Sequence, residues 1–525
     1  MHENRETSGA SRSNQDRDRS EKADSRTADG HALEESDRAV VPVNLSNKEE
    51  PSSAEAGEER ARAKENIAQS HTSPTQSGER VPQGLHGVRQ AARERKQERF
   101  TALLHHVSVD LLRESFLALK RQAVPGVDGV TWKEYEAGLE NRLADLHSRV
   151  HRGAYRAQAS RRVYIPKADG RQRPLGVAAL EDKIVQQAVV TILNAIYEVD
   201  FKGFSYGFRP GRSPHQALDA LSVGLHRKRV NWVLDADIRG FFDQMSHEWT
   251  MKFVQHRVGD PRILRLIQKW LKAGVIEEGQ WSETKIGTPQ GSVASPLLAN
   301  IYLHYVFDLW VEVWRKKVAK GDIIVVRYAD DLVVGFESRA EAERFLNEFR
   351  ERLAKFGLEL HSEKTRLIEF GRFAALNRKQ RGEGKPETFT FLGFTHYCGK
   401  RQNGAFTVWR ETAKKRMVAK LQEIKMELLH RRHEPLPSVG AWLCKVMSGY
   451  YQYHAVPGNL PQLAIFRYRL GRLWRRALAR RSQRGWISRE RWNRILTRWL
   501  PLARVLHPHP RERFDASYPR WKPHA

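Results

Sequence analysis

Thiols are the scarcest chemistry in this 525-residue chain, which has only Cys398 and Cys444. Two isolated cysteines cannot supply a Cys-x-x-Cys pair or a cysteine-based zinc knuckle, and such sparse use suits a reducing compartment. Long apolar runs are missing too: no stretch of 18 occurs. With a mean hydropathy of −0.63 and 29% charged residues, a membrane protein is not expected. The opening Met1-His2-Glu3-Asn4-Arg5-Glu6 carries acids from the outset and no apolar core, so neither a secretory nor a mitochondrial leader is expected, and the expected location is the cytoplasm. The first eighty residues contain no Phe, Trp or Tyr and are rich in Ser, Glu, Arg, Ala and Gln. Such a segment buries too little apolar surface to offset chain entropy, which predicts a disordered extension over residues 1–90.

Charge is abundant and unevenly spread. The net charge is +28, yet residues 1–80 hold 12 Lys and Arg against 17 Asp and Glu, whereas residues 401–525 hold 27 against 7. The C-terminal quarter is therefore the electrostatic footprint for a polyanion. Between residues 96 and 147 Leu103, Leu104, Val107, Leu111, Leu112, Phe116, Leu117 and Leu119 recur at helical spacing, until Pro125-Gly126-Val127-Asp128-Gly129 ends the pattern. Strands and helices alternate from Arg161 to Phe394, and beyond Gly399 the pattern reads as helical with basic outer faces. No internal repeat occurs.

The most informative segment is Tyr328-Ala329-Asp330-Asp331, flanked by the apolar β-type runs Ile323 to Val326 and Leu332 to Val334. Two adjacent acids at the tip of a hairpin inside a core are costly unless a cation compensates them. A second apolar strand, Trp232-Val233-Leu234, runs into Asp235-Ala236-Asp237 and Ile238-Arg239-Gly240-Phe241-Phe242-Asp243. Asp235 and Asp237 lie two residues apart, hence on one strand face, and either can meet the first pair. Three carboxylates of this kind suit Mg²⁺, which takes few carboxylates together with waters and substrate phosphates. Two Mg²⁺ ions can activate a 3′-hydroxyl and stabilise a leaving pyrophosphate. A calcium loop starting at Asp235 is rejected because its third ligand and terminal Glu are missing.

Eight segments, in order, carry a family resemblance: PGVDGVT (125–131), IPKADGRQRPLGV (165–177), SYGFRPGRSPHQAL (205–218), DADIRGFFD (235–243), GTPQGSVASPLLANIYL (287–303), RYADDLVVG (327–335), GLELHSEKT (357–365) and FTFLGF (389–394). Together they resemble the reverse transcriptases encoded by group II introns, in the form without a C-terminal endonuclease, since the paired cysteines of that domain are missing. The resemblance implies an α+β right-hand polymerase: fingers and palm over 95–398, a helical thumb and maturase (X) domain over 400–482, and a basic C-terminal tail over 483–525 that resembles a short DNA-binding region. It also selects Asp237 over Asp235, counting from Phe241-Phe242-Asp243, to join Asp330 and Asp331 as the catalytic metal ligands.

The same resemblance implies the substrate contacts. Lys167 and Arg173 would flank a turn over the triphosphate, where fixed cations form a preorganised clamp. Phe242 would press on the sugar C2′ and exclude ribonucleotides. Gln290, before a small-residue helix expected from Ser292 to Ala299, would touch the sugar or base, with a helix entry capped by Ser292 as the structural alternative. Lys364 would contact the pyrophosphate or protonate it, and Phe391-Leu392-Gly393-Phe394 would form the primer grip. Arg467, Arg469, Arg472, Arg475, Arg476 and Arg480 alternate with apolar residues on one helix and would offer guanidinium groups to structured RNA. The implied partners are group II intron RNA, target DNA and dNTPs, with no membrane. The implied function is RNA-directed DNA polymerase and maturase. Its alternatives are a splicing cofactor that no longer needs the polymerase, and a domesticated or defence-associated reverse transcriptase.

Overall fold

The computed structural model describes residues 83–166, 172–481 and 487–518, and these all fall in one unit of the chain. The N-terminal part is helical: α1 (His86–Glu94), α2 (Val109–Ala118), α3 (Trp132–Glu136) and α4 (Leu139–His151). Their starts follow local capping chemistry. Ser108 accepts from the Leu111 amide, and Thr131 and Glu134 form a reciprocal box at α3. A hairpin of β1 (Ser160–Pro166) and β2 (Gln172–Val177) precedes α5 (Leu180–Asp200), a long helix against which α1 and α2 pack. One expectation is corrected here. Residues 83–90 are not part of a disordered extension, because Leu85 and Ala92 are buried against the core and anchor α1; the remainder, residues 1–82, lies outside the described residues.

The chain continues through α6 (Pro214–Arg227), β3 (Trp232–Asp237), α7 (Phe241–Gln244), α8 (His247–Gln255) and α9 (Pro261–Lys272). Two short strands follow, β4 (Val275–Glu277) and β5 (Gln280–Ser282), and join the first hairpin in a sheet of order β2-β1-β4-β5. A nearly continuous helical rod comes next: α10 (Ser295–Leu303), a π-helical turn over His304–Asp308, and α11 (Leu309–Lys317). The expected helix from Ser292 thus begins at Ser295. Ser292 does not cap it, since its hydroxyl donates to Gln186 at 2.9 Å.

β6 (Ile323–Tyr328), β7 (Asp331–Phe336) and, after α12 (Arg339–Ala354), β8 (Arg366–Glu369) complete an antiparallel sheet of order β6-β7-β3-β8. Both faces of this sheet are covered, which explains its unbroken apolar runs. Leu234, Leu332 and Val334 join the core of the N-terminal helices, whereas Val233, Val333 and Val326 face α6.

After α13 (Ala374–Gln380) a second antiparallel sheet forms from β9 (Phe389–Phe391), β10 (Phe394–Lys400) and β11 (Phe406–Thr412), and only then do α14 (Lys414–His430), α15 (Leu436–His454) and α16 (Leu460–Ala479) begin. The expectation of helix from residue 400 is therefore corrected. The Phe406-Thr407-Val408-Trp409 run pairs with β10 and buries Val408.

The C-terminal residues contain α17 (Arg489–Trp499) and α18 (Pro510–Ser517). Trp492, Ile495 and Leu500 join the core of α14–α16, so the basic segment is folded rather than a tail. α18 packs on α6, where Arg513 meets the buried Asp219 at 2.7 Å and Asp515 meets Arg227 at 2.8 Å. Among the described residues no helix is long and apolar enough to cross a membrane.

Candidate active site

The β6–β7 hairpin turns through Ala329 and Asp330, and its register sets Tyr328 opposite Asp331. On the other side of β7, Asp331 lies opposite Asp237 of β3. Strand alternation therefore places Asp235, Asp237 and Asp331 on one face, with Asp330 at the tip. The turn is strained: Ala329 has φ +56°, a left-handed value unusual for a residue with a side chain. Gly207 makes room for it, since a Cβ there would lie 2.3 Å from the Ala329 nitrogen. Phe208, next to Gly207, and Leu392, between β9 and β10, also take positive φ, +57° and +47°.

The carboxylates raise one another's proton affinity. Burial and then the neighbouring Asp330, Asp237 and Asp235 push Asp331 up to about 7, although its outer side is open to solvent. Asp330 is also raised, first by burial and then by Asp237, while Arg173 and Lys364 oppose the shift. Four carboxylates are thus concentrated at one end of the sheet, and all the donors are hard oxygens, a set whose chemistry suits a divalent cation. No group of three metal-ligating side chains is already drawn into coordination distance among the described residues.

The two rival acids of β3 have different partners. Asp235 faces Arg366 at 3.6 Å, and burial pushes it up to about 6. Asp237 instead receives the exposed Lys364 ammonium at 2.6 Å. Arg173, half-buried on β2, acts electrostatically on Asp330; Lys167 lies outside the described residues. Phe242 is half-buried on α7 and meets Phe208 edge-on at a centroid separation of 6.4 Å. The Gln290 carbonyl accepts from the Gly176 amide of β2 at 2.7 Å, and its side chain reaches Asp243 at 3.5 Å. Gly393, with φ +78°, forms the β9–β10 turn with Leu392, and the Arg416 side chain of α14 lies across it. Phe391 and Phe394 are buried beneath, and the Tyr453 hydroxyl donates to the Leu392 carbonyl at 2.7 Å.

The arginines of α16 divide. Arg469, Arg472, Arg475, Arg476 and Arg480 are exposed. Arg467 is half-buried and donates to the Leu500 and Pro501 carbonyls at 3.2–3.3 Å, closing the C-terminal helices, and the exposed Arg475 donates to the Ile487 carbonyl at 3.0 Å. The sequence reading also missed Arg416, which acts on Asp331 from α14, and a fully buried pair, Asp308 and Arg327, under the turn. The signal for the latter was a lone acid within Tyr305-Val306-Phe307-Asp308-Leu309-Trp310.

An α+β fold that gathers acids from neighbouring strands and faces them with cations from three other segments is the framework of a nucleic-acid polymerase. The family model described as reverse transcriptase (RNA-dependent DNA polymerase) matches residues 165–396. Protein YkfC of Escherichia coli (strain K12) is 36% identical over 283 residues, which cover 48% of this chain and 74% of YkfC. Group II intron-encoded protein LtrA of Lactococcus lactis subsp. cremoris is 35% identical over 222 residues, covering 42% of this chain and 37% of LtrA. The putative COX1/OXI3 intron 1 protein of Saccharomyces cerevisiae (strain ATCC 204508 / S288c) is 27% identical over 306 residues, 49% of this chain and 36% of that protein. The chain belongs to the group II intron-encoded reverse transcriptase/maturase family. It is an RNA-directed DNA polymerase by class, and polymerases of this class depend on divalent metal ions.

Proposed function

We propose that this protein binds group II intron RNA, assists its splicing and copies it into DNA at a target site, working in the cytoplasm, where its two free cysteines suit a reducing environment. The observation that carries the polymerase reading is the register that sets Asp237 opposite Asp331 beside Asp330. In this reading β1–β2 and the N-terminal helices are the fingers, the β6-β7-β3-β8 sheet is the palm, and α14–α17 are the thumb and maturase region.

Asp237, Asp330 and Asp331 would hold two Mg²⁺ ions, which supply activation of the primer 3′-hydroxyl and stabilisation of pyrophosphate. Arg173 and Lys167 would bind the triphosphate of a dNTP, and Gln290 its sugar or base. Phe242, backed by Phe208, would leave no room for a 2′-hydroxyl. Lys364 would pass from Asp237 to the departing pyrophosphate, and residues 391–394 would hold the primer end. Exposed arginines on α16 offer bidentate donors to RNA phosphates.

Replacing Asp330 by Ala removes one carboxylate without touching α16. Primer extension on an RNA template should disappear while RNA-assisted splicing persists. Equal loss of both activities in a folded variant would refute the separation of roles.

A further inference from the structure

Arg327 and Asp308 both have 0% side-chain exposure, yet neither belongs to the carboxylate cluster. The helical rod widens into a π turn over His304–Asp308, a distortion that recurs at functional sites because it re-aims a side chain without ending the helix. Here it presents Asp308 to Arg327 in a two-pronged pair: Nε donates to Oδ1 at 2.8 Å and Nη2 to Oδ2 at 2.6 Å. Burial disfavours the charge on Asp308, but Arg327 and His304 outweigh it and hold the carboxyl below its ordinary range. The remaining guanidinium nitrogen, Nη1, donates to Asn300 Oδ1 at 3.0 Å and to the Ala329 carbonyl at 3.1 Å. Asn300 in turn donates to the Gly207 carbonyl at 2.7 Å. Gly207 is the residue on which the strained Ala329 rests.

A buried ion pair is a poor way to add stability, since apolar residues of similar volume often serve as well or better. What apolar side chains cannot do is grip the carbonyl of the residue immediately before Asp330. We infer that Arg327 and Asp308, with Asn300, are positioning residues for polymerisation: they clamp the Ala329 carbonyl and so hold the turn that aims Asp330 and Asp331. The inference rests on the proposed metal-binding role of those two acids. The chain of contacts runs from the π turn through Asp308 and Arg327 to Ala329, and through Asn300 to Gly207. Each link is a hydrogen bond between buried groups, so the tip has little freedom to rotate.

The test compares full-length protein with Arg327→Met/Asp308→Leu, which removes both charges together so that no buried ion is left unpaired. Five quantities are measured: the unfolding transition, affinity for a short RNA template with DNA primer, kcat and KM for dNTP, and Mn²⁺ binding followed by electron paramagnetic resonance. The folded double variant should bind template and primer normally and keep its dNTP KM. Its kcat should fall about 100-fold, the scale of a misplaced reacting group, and its Mn²⁺ affinity about 10-fold, the scale of losing a residue that orients a metal ligand. A folded double variant with kcat and Mn²⁺ affinity within about threefold of wild type overturns the inference. Should the double variant not fold, Asn300→Ser decides, since it leaves the ion pair and the Nη1–Ala329 contact in place while removing the second acceptor of Nη1 and the donor to the Gly207 carbonyl. It should show a similar pattern at about a 10-fold loss of kcat, and unchanged kcat and Mn²⁺ binding overturn the clamp. Asp330→Ala runs in parallel: if it retains extension, the metal-ligand reading itself has failed, not the clamp.

Discussion

Replacing Asp331 by Asn should make the metal-free protein more stable at pH 8 and leave it unchanged at pH 4. Burial and its acidic neighbours push this carboxyl up to about 7, against about 3.9 in an unfolded chain. The folded state therefore holds the proton more tightly than the unfolded state. The resulting cost is absent below the unfolded value, grows as pH rises through the window between about 4 and 7, and stays constant above it. Three units correspond to about 4 kcal/mol at 1.36 kcal/mol per unit. The open outer side of Asp331 screens much of that, leaving about 1–2 kcal/mol. In a chain of this length such a gain moves the unfolding temperature by a few degrees at most, roughly 1–3 °C. The assay is thermal unfolding of both proteins in chelator at several pH values, repeated with excess Mg²⁺. The metal should stabilise the wild type more than the Asn variant, because only a ligand bound to the folded state shifts the equilibrium and the variant binds it less well. An Asn variant that is less stable than wild type at pH 8 without metal, or a difference that does not vary with pH, would refute this account of the carboxylates.

Phe242→Ala should admit ribonucleotides, lowering the preference for dNTP over rNTP by about 10- to 100-fold; unchanged sugar discrimination in single-nucleotide incorporation would assign the gate elsewhere. Replacing Arg472, Arg475, Arg476 and Arg480 together by Gln should weaken intron RNA binding and flatten its log–log salt slope by about 3, if each meets one phosphate, while extension on a short unstructured template suffers much less. An equal loss on both RNAs would mark α16 as a general template clamp. Arg513→Glu sets a like charge against the buried Asp219, which should destabilise the protein by about 3 kcal/mol. Hydrogen exchange over residues 510–517 should rise, and unaltered protection there would show that α18 is held by other contacts.

What the sequence by itself determined was local. Tyr328 to Asp331 between two apolar strands places two acids at a turn, because strand periodicity and the cost of a buried charge leave few other arrangements. Asp235 and Asp237 fall on one face by the same alternation, and the basic C-terminal quarter is a matter of counting. The family resemblance also anticipated a turn between Lys167 and Arg173, which the antiparallel pairing of β1 with β2 accommodates. What it could not settle depended on partners far away in the chain. Strand alternation left both acids of β3 open and the family resemblance chose Asp237; tertiary pairing added their different partners, giving Asp235 to Arg366 and setting Asp237 opposite Asp331 with Lys364 beside it. Only packing turned residues 489–517 from a basic tail into two docked helices, and tied the half-buried Arg467 to the carbonyls of Leu500 and Pro501. The Asp308–Arg327 clamp belongs to the same class. An arginine reads identically in sequence whether it faces water or a carbonyl, because its free energy is decided by the desolvation and hydrogen bonding that distant segments impose once they meet.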